Sequence, residues 1–433
     1  MTVPSDKQGQ WPSDVIPKSW QWINFSNYFI DCTSSERKLP QKQYLKEGHI
    51  PVIDQGEILV GGYTNDKLLK YEGQLPVIVW GDHTKCVKFI DYAFVQGADG
   101  VKVLFPRSFI EPKYAYYTLQ TIKLPEKGYS RHFKFLKSSR FPIAPLNEQQ
   151  RIVAKLDNLF ACTGRAREEL ARIPKLIERY KQAVLAAACS GQLTADWRKD
   201  QNLELIWQST NLGKLILDKP KNGYSAKPVS YKTSFRVLTL TATTSGKFKA
   251  EHFKYFDEII DDKSPFWLQP NDILIQRGNT IEYVGVSAIY DGPPKHFIFP
   301  DLMMRLRVKP EVCTRFLHIV LSCEKSRNYL RNKATGTAGT MPKINQSILV
   351  SLPIELPKPE EQDEIVRRVE KLFKAIDLMK QEYQKASKLC DRLEQATLSK
   401  AFRGELVPQN PEDEPASALL EHILTRPALP TVS

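Results

Sequence analysis

The sequence predicts a mixed α/β chain: two globular domains separated by two long antiparallel coiled-coil helices, on a pseudo-twofold plan. Three observations carry that prediction. One passage occurs twice, as "APLNEQQRIVAKLDNLF" at 144–160 and as "PKPEEQDEIVRRVEKLF" at 357–373. Each copy opens a stretch whose apolar residues recur every three or four positions, the period of a coiled-coil seam. The remaining blocks alternate short β-like runs with turn signals, and they share little sequence with each other.

The duplication holds a gapless register, offset by 213 residues, from Glu148 to Leu193. Glu148–Gln149 matches Glu361–Gln362, Ile152–Val153 matches Ile365–Val366, Leu159–Phe160 matches Leu372–Phe373, and Gly191 matches Gly404. Two copies are too few for a solenoid, so they imply two related halves. The first seam reads Ile152, Leu156, Leu159, Thr163, Ala166, Leu170, Ile173, Ile177, Tyr180, Val184 and Ala187. The second reads Ile365, Val369, Leu372, Ile376, Met379, Tyr383, Ala386, Cys390, Leu393 and Thr397. A helix of about 40 residues is roughly 60 Å long and cannot bury such a seam alone. The simplest partner is the other copy; packing on its own domain and a homodimeric coiled coil are the alternatives. Asn147 with Gln150 resembles a capping box, and Pro359 suits a first helical turn. Gly191 and Gly404 suit the left-handed residue just past a helix end. Gly164 and Pro174 should weaken or kink the first helix.

The predicted order is therefore a first domain at 14–147, a long helix and connector at 148–204, a second domain at 205–357, a second helix at 358–411 and a tail at 412–433. In the first domain "IPVIDQGEILVGGY", "LPVIVWGD" and "VKVLF" read as strands, followed by a helical stretch near Glu111–Ile122. In the second, "FRVLTLTAT", "NDILIQRGN", "VGVSAIY" and "MMRLRV" do the same, with helix near Val312–Asn332.

The net charge of +13, from 62 Lys and Arg against 49 Asp and Glu, favours a polyanionic partner. Its placement says more. The segments before each long helix, 127–147 and 325–354, contain no acidic residue. They offer Ser130, Arg131, His132 and Lys134 in the first, and Lys333, Thr335, Thr337 and Lys343 in the second. Cations attract phosphates, while hydroxyls and amides hydrogen-bond to phosphates or base edges. Two tight turns after strands add His83 and Lys85 ("WGDHTK") and Arg277, Asn279 and Thr280 ("QRGNT"). Arg277 suits guanine and Asn279 suits adenine in a major groove.

Other chemistry finds little footing. The seven cysteines are scattered with no CxxC pair, which fits reduced cytosolic thiols. No apolar run approaches the ~18–20 residues of a membrane span, and the first fifteen residues lack a signal-peptide core. There is no GxxxxGK[ST] loop, no GxGxxG after a strand, no HExxH, no GxSxG and no methyltransferase Asn/Asp-Pro-Pro motif. Short nuclease-like pairs occur at Glu36–Lys38 and Asp261–Lys263; a metal-dependent nuclease would need a further carboxylate placed beside them, and in a chain this rich in charge such matches arise by chance. The pattern points to a recognition module.

The lead-ins to the long helices (145–153 and 357–366), the "Q-A-x-L…A…G-x-L" exits (182–193 and 395–406) and the opening "IPKSWQW" at 16–22 resemble the DNA-specificity subunit of type I restriction–modification enzymes. The resemblance spans nearly the whole length. It implies two target-recognition domains, each reading one half of a bipartite asymmetric site in double-stranded DNA, with the helices as a ruler for the spacer. It further implies two methyltransferase (modification) subunits and two restriction subunits as partners. Those partners would bring S-adenosylmethionine, ATP and Mg2+, leaving this chain non-catalytic, free of cofactors and metals, cytoplasmic and without a membrane partner. A coiled-coil scaffold whose heads bind protein or RNA is the competing reading, and a divergent nuclease is a third.

Overall fold

The computed structural model describes residues 9–125, 131–336 and 341–424. The chain divides into two compact units, residues 1–170 with 385–433 and residues 171–384.

The head of the first unit runs β1 (Gln21–Asn24), α1 (Phe25–Tyr28), β2 (Phe29–Asp31), β3 (Lys38–Leu39), β4 (Ile50–Ile53), β5 (Gly62–Thr64), β6 (Val77–Gly81), β7 (Val87–Ile90), β8 (Val95–Gly97), β9 (Val101–Pro106), α2 (Pro112–Thr121), α3 (Phe133–Lys137) and β10 (Arg140–Ile143). It then enters α4 (Leu146–Cys189). An antiparallel sheet in the order β2-β9-β6-β7 forms the centre. Every residue of β6 is buried, which is why "VIVWG" reads as a continuous apolar run and not as an alternation. A second sheet, β3-β8-β4-β5, contains parallel pairs. β1 pairs with β10, Gln21 opposite Ile143, and so clips the two ends of the head together. Tyr28, Phe29 and Phe141 pack beneath that clip, with Tyr28 and Phe141 rings 5.0 Å apart.

The second unit repeats the plan. After α5 (Ala195–Asp200) come β11 (Gln208–Asn211), α6 (Leu212–Leu215), β12 (Lys221–Asn222), β13 (Phe235–Leu238), β14 (Phe253–Phe256), β15 (Ile273–Gln276), β16 (Ser287–Ile289), β17 (Met303–Leu306), α7 (Thr314–Ser322), α8 (Glu324–Lys333), α9 (Gln346–Val350), β18 (Pro353–Leu356) and α10 (Pro359–Ala401). Its sheet has the order β12-β17-β15-β16, matching the first unit strand for strand, and β11 and β18 form the equivalent clip. The accessory element differs: a β13–β14 hairpin replaces the second sheet. The helix expected over Val312–Asn332 is two helices, because Cys323 is extended and ends α7 while capping α8. A last helix, α11 (Ala416–Leu424), belongs to the first unit.

The long helices meet two expectations and correct one. Pro359 is the first residue of α10, and both Gly191 and Gly404 are left-handed with φ of +74°. Asn147 is not the cap of α4, because the helix already begins at Leu146. Neither Gly164 nor Pro174 ends α4, which runs from Leu146 to Cys189 as one helix. Proline deletes one backbone hydrogen bond, and the turns on either side hold the helix.

Within each unit the two helices run antiparallel. In the first, Thr163 Oγ1 donates to Glu394 (2.7 Å) while Arg167, one turn on, pairs with Asp391 (2.7 Å). In the second, Val184, Leu185 and Ala188 share a core with Ile365, Val366 and Val369. The seam is buried chiefly toward the helix ends, where it merges with the head cores: Ile152 and Leu156 lie in one cluster with Trp20, Tyr114 and Phe402. Seam positions Tyr180, Met379 and Leu393 are exposed. Both readings of the seam are therefore partly right, since the helices pack on each other and on the heads.

Candidate nucleic-acid interface

In the first unit β6 ends at Gly81 and the chain turns through Asp82–Lys85 into β7. Lys85 takes a φ of +60°, uncommon for a residue with a side chain, and its N–H donates to Gly81 O (2.8 Å). Gln55 braces the turn by accepting from the His83 N–H (3.2 Å) and, through its carbonyl, from Thr84 Oγ1 (2.6 Å). The buried Asp82 then ties the turn to the acid-free segment. Its Oδ1 accepts from the Phe133 N–H (2.7 Å) and its carbonyl from the His132 N–H (2.9 Å). Around Phe133 stand two lysines that sequence reasoning missed, Lys102 from β9 and Lys137 from α3, with Nζ 5.0 and 4.8 Å from the ring centroid. Arg131 and Lys134 are exposed beside them. Arg131, Lys38 and Lys102 line a cleft of about 490 Å³ with Thr33, Ser34 and Ser35, which also carries Asp31, Asp82 and Asp99.

The second unit makes the same connection with unrelated residues. β15 ends at Gln276, and the following turn is held by Arg277 N–H to Leu302 O (2.8 Å) and by Ile344 N–H to Arg277 O (2.9 Å). Gly278 bridges to Lys343, and Thr335 and Lys343 exchange both backbone hydrogen bonds (2.8 and 2.9 Å). Thr280, Lys333, Thr335 and Lys343 are exposed on this surface, with Lys333 Nζ 4.5 Å from the Tyr329 ring centroid. Ile281, Tyr283 and Met341 add exposed apolar surface that polarity-based reading did not register.

Not every candidate joins these surfaces. His132 is 2% exposed and its Nδ1 lies 3.1 Å from Asp82 O, so it anchors the turn and does not face outward. Lys85 lines a different cleft, with Arg167, Asp391 and Glu394 of the long helices. Asn279 spends its amide inside the turn, Nδ2 donating to Gln276 Oε1 (2.6 Å) and Oδ1 accepting from Thr280 N–H (2.7 Å). Arg277 is half-buried, with Nη1 3.3 Å from Asp301 O. Ser130 and Thr337 lie outside the described residues.

The duplicated Glu-Gln explains how each head is mounted. Glu148 Oε2 accepts from Trp20 Nε1 (3.0 Å), and Glu361 Oε2 accepts from Trp207 Nε1 (3.0 Å). Gln149 Oε1 accepts from the Glu111 N–H at the start of α2, and Gln362 Oε1 from the Cys313 N–H at the start of α7, both at 2.8 Å. The two amide nitrogens donate five residues back, to Ala144 O and Pro357 O, both at 2.9 Å. Burial holds the Glu148 carboxyl above its ordinary range, against the hydrogen bonds from Trp20 and Gln409.

A family model for the type I restriction modification DNA specificity domain matches residues 30–175 and 219–388. The chain belongs to that family. Among specificity subunits it is 32% identical to that of the type I restriction enzyme EcoKI from Escherichia coli (strain K12), over 65% of this chain and 62% of the relative. It is 33% identical to that of StySPI from Salmonella potsdam, over 74% of this chain and 73% of the relative. The fold is shared with a chain of a type I R-M system solved for its complex assembly and conformational transition (TM-score 0.62, 18% identity, 91% of this chain and 100% of that one). The HsdS subunit from Thermoanaerobacter tengcongensis matches at a TM-score of 0.50 and 18% identity, over 90% of this chain and 98% of that one. Each unit presents a turn and an acid-free segment together on a head clamped to a long helix. Among the described residues, no helix is long and apolar enough to cross a membrane, and no His, Cys, Asp and Glu groups gather at metal-ligand spacing.

Proposed function

We propose that this chain is the DNA-reading component of a type I restriction–modification assembly, each head contacting one half of a bipartite site. One observation carries the reading: in both units the turn after the central strand is hydrogen-bonded to the segment that lacks acidic residues, through Asp82 in one and Lys343 in the other. Two unlike sequences thereby present basic and hydroxyl groups at the same point of the same topology. Arg131, Lys134 and Lys102 serve one half-site; Thr280, Lys333, Thr335 and Lys343 serve the other. α4 and α10 act as the ruler for the spacer, and their exposed Leu176, Leu378, Met379, Leu389 and Leu393 supply apolar surface for two modification subunits. Those subunits bring S-adenosylmethionine and receive the flipped target base, and two restriction subunits bring ATP and Mg2+. This chain makes and breaks no bonds and works in the cytoplasm. Reconstitution with the modification subunit, followed by mapping of methylated sites, tests the proposal. A bipartite motif is expected, and Arg131→Ala with Lys134→Ala should relax one half only. Methylation without a bipartite motif would refute it, and so would affinity for duplex DNA that does not fall as salt rises.

A further inference from the structure

The likeness of the two units makes one difference between them informative. In the first, a cleft of about 600 Å³ lies between head and helix pair, lined in part by Trp80, Arg167, Asp391, Glu394 and Gln395. Its arginine is neutralised there, with Arg167 Nη2 2.7 Å from Asp391 and 2.9 Å from Glu394. The second unit has the corresponding cleft, about 470 Å³, at the 213-residue offset: Lys181 stands where Glu394 does, Gln182 where Gln395 does, and Lys380 where Arg167 does. The first cleft is balanced, Lys85 and Arg167 against Asp391 and Glu394, whereas the second carries an excess of cations. Lys181, Lys247, Lys249, Arg327, Arg331 and Lys380 line it against three carboxylates, Glu282, Glu324 and Asp377. Lys247 pairs with Asp377 (2.8 Å) and Arg331 with Glu324 (3.2 Å), while the other four cations make no ion pair among the described residues.

The same cleft gathers unmatched polar atoms. Ser287 is 3% exposed, and its Oγ has no hydrogen-bond partner among the described residues; the same holds for Arg331 Nε and Gln182 Oε1. Buried polar atoms are ordinarily paired, so three orphans on residues that line one cleft point to a partner from outside the chain. Beside them the turn Thr244-Ser245-Gly246-Lys247 carries a left-handed glycine (φ +74°), and a Cβ there would meet nothing nearer than 4.0 Å, which leaves the backbone open to a close-packed ligand. Burial and the neighbouring Arg331 bring Arg327 down to about 10, while burial and Lys181 lower His318. Burial is the larger cause of both shifts, and the neighbouring cations add to it in the same direction.

We propose that the second unit binds a phosphoryl anion in this cleft, held by Ser287 Oγ, Arg331 Nε, Lys181 and Lys249. Gln182 Oε1 accepts from the protonated oxygen of hydrogen phosphate. The phosphoryl group comes either from a free phosphate or polyphosphate or from a DNA backbone, and the experiment separates these. The full chain is titrated calorimetrically with phosphate and with pyrophosphate at matched ionic strength, and duplex DNA affinity is measured across a salt series. For a free anion, saturable pyrophosphate binding is expected, weakened about tenfold or more by Lys181→Gln with Lys249→Gln, since both remove charge-assisted contacts. Ser287→Ala should also weaken it with no fall in Tm, because no protein hydrogen bond is lost. For a DNA phosphate, the free anions do not saturate and the double variant lowers the salt slope by about one to two. The absence of both saturable anion binding and a changed salt slope overturns the proposal, and so does anion binding that both variants leave intact. Loss of site-specific methylation in the assembled enzyme would bear on the DNA reading alone and leave the anion titration standing.

Discussion

Glu148 and Glu361 are buried acids whose hydrogen bonds do structural work on both sides of a helix start. Trp20→Phe removes one donor and shrinks a buried ring, so a loss of at least about 1.5–3 kcal/mol is expected from the hydrogen bond to a charged acceptor, with a cavity cost added to it, read as a lower urea midpoint. Glu361→Gln should cost more, about 3–5 kcal/mol, because Glu361 also pairs with the buried Arg198, which would be left as an uncompensated charge. A loss in Glu361→Gln no larger than in Trp207→Phe, which removes the indole donor at the same carboxylate, would mean that the arginine contributes nothing beyond the indole.

At the scale of elements, α10 opens on a charge cluster. Hydrogen bonds from Arg367 and then Arg368 hold the Glu364 carboxyl down at about 2, below its ordinary 4.5. A depressed acid stabilises the folded state above its unfolded pKa, and that contribution is lost as pH falls. Helical circular dichroism should therefore show a loss between about pH 4.5 and 2 that Glu364→Gln abolishes; an unchanged acid profile in the variant would remove the assignment. α4 carries the opposite kind of element-scale feature. Pro174 is exposed and mid-helix, so Pro174→Ala should stabilise by about 1–3 kcal/mol, restoring a backbone hydrogen bond. At the exit of α10, Gly404→Ala should destabilise by about 1–2 kcal/mol, since the φ of +74° disfavours a side chain and the new Cβ would run into Pro17 Cγ.

The whole chain is one plan used twice. The central sheet order, the two-stranded clip and the Glu-Gln mount recur, while the accessory strands and the residues of the presenting loops do not. Selection for one way of mounting and two ways of reading would produce that pattern. Removing four residues from α4 and four from α10 shortens each by about 6 Å, close to two base pairs of duplex at about 3.4 Å each. Mapped methylation sites should then show a spacer shorter by about two base pairs with both half-sites unchanged. An unaltered spacer would end the ruler argument while leaving half-site reading intact.

By itself the sequence determined the duplication, the long helices and their glycine exits, the strand-rich heads, the acid-free segments and, through the lead-in and exit motifs, the family. All of these are local signals or self-comparisons, legible because helix period, turn chemistry and repeats are written in neighbouring residues. Only the tertiary structure decided which polar groups meet. Trp20 finds Glu148 at 128 residues' distance, and Asp82 finds Phe133 at 51, through chain closure that no period encodes. The same closure withdrew His132 and Asn279 from the presenting surface, added Lys102 and Lys137, and left Tyr180, Met379 and Leu393 of the seam exposed. A heptad specifies which side chains line one stripe of a helix; what covers that stripe depends on the shape of everything else that folds against it.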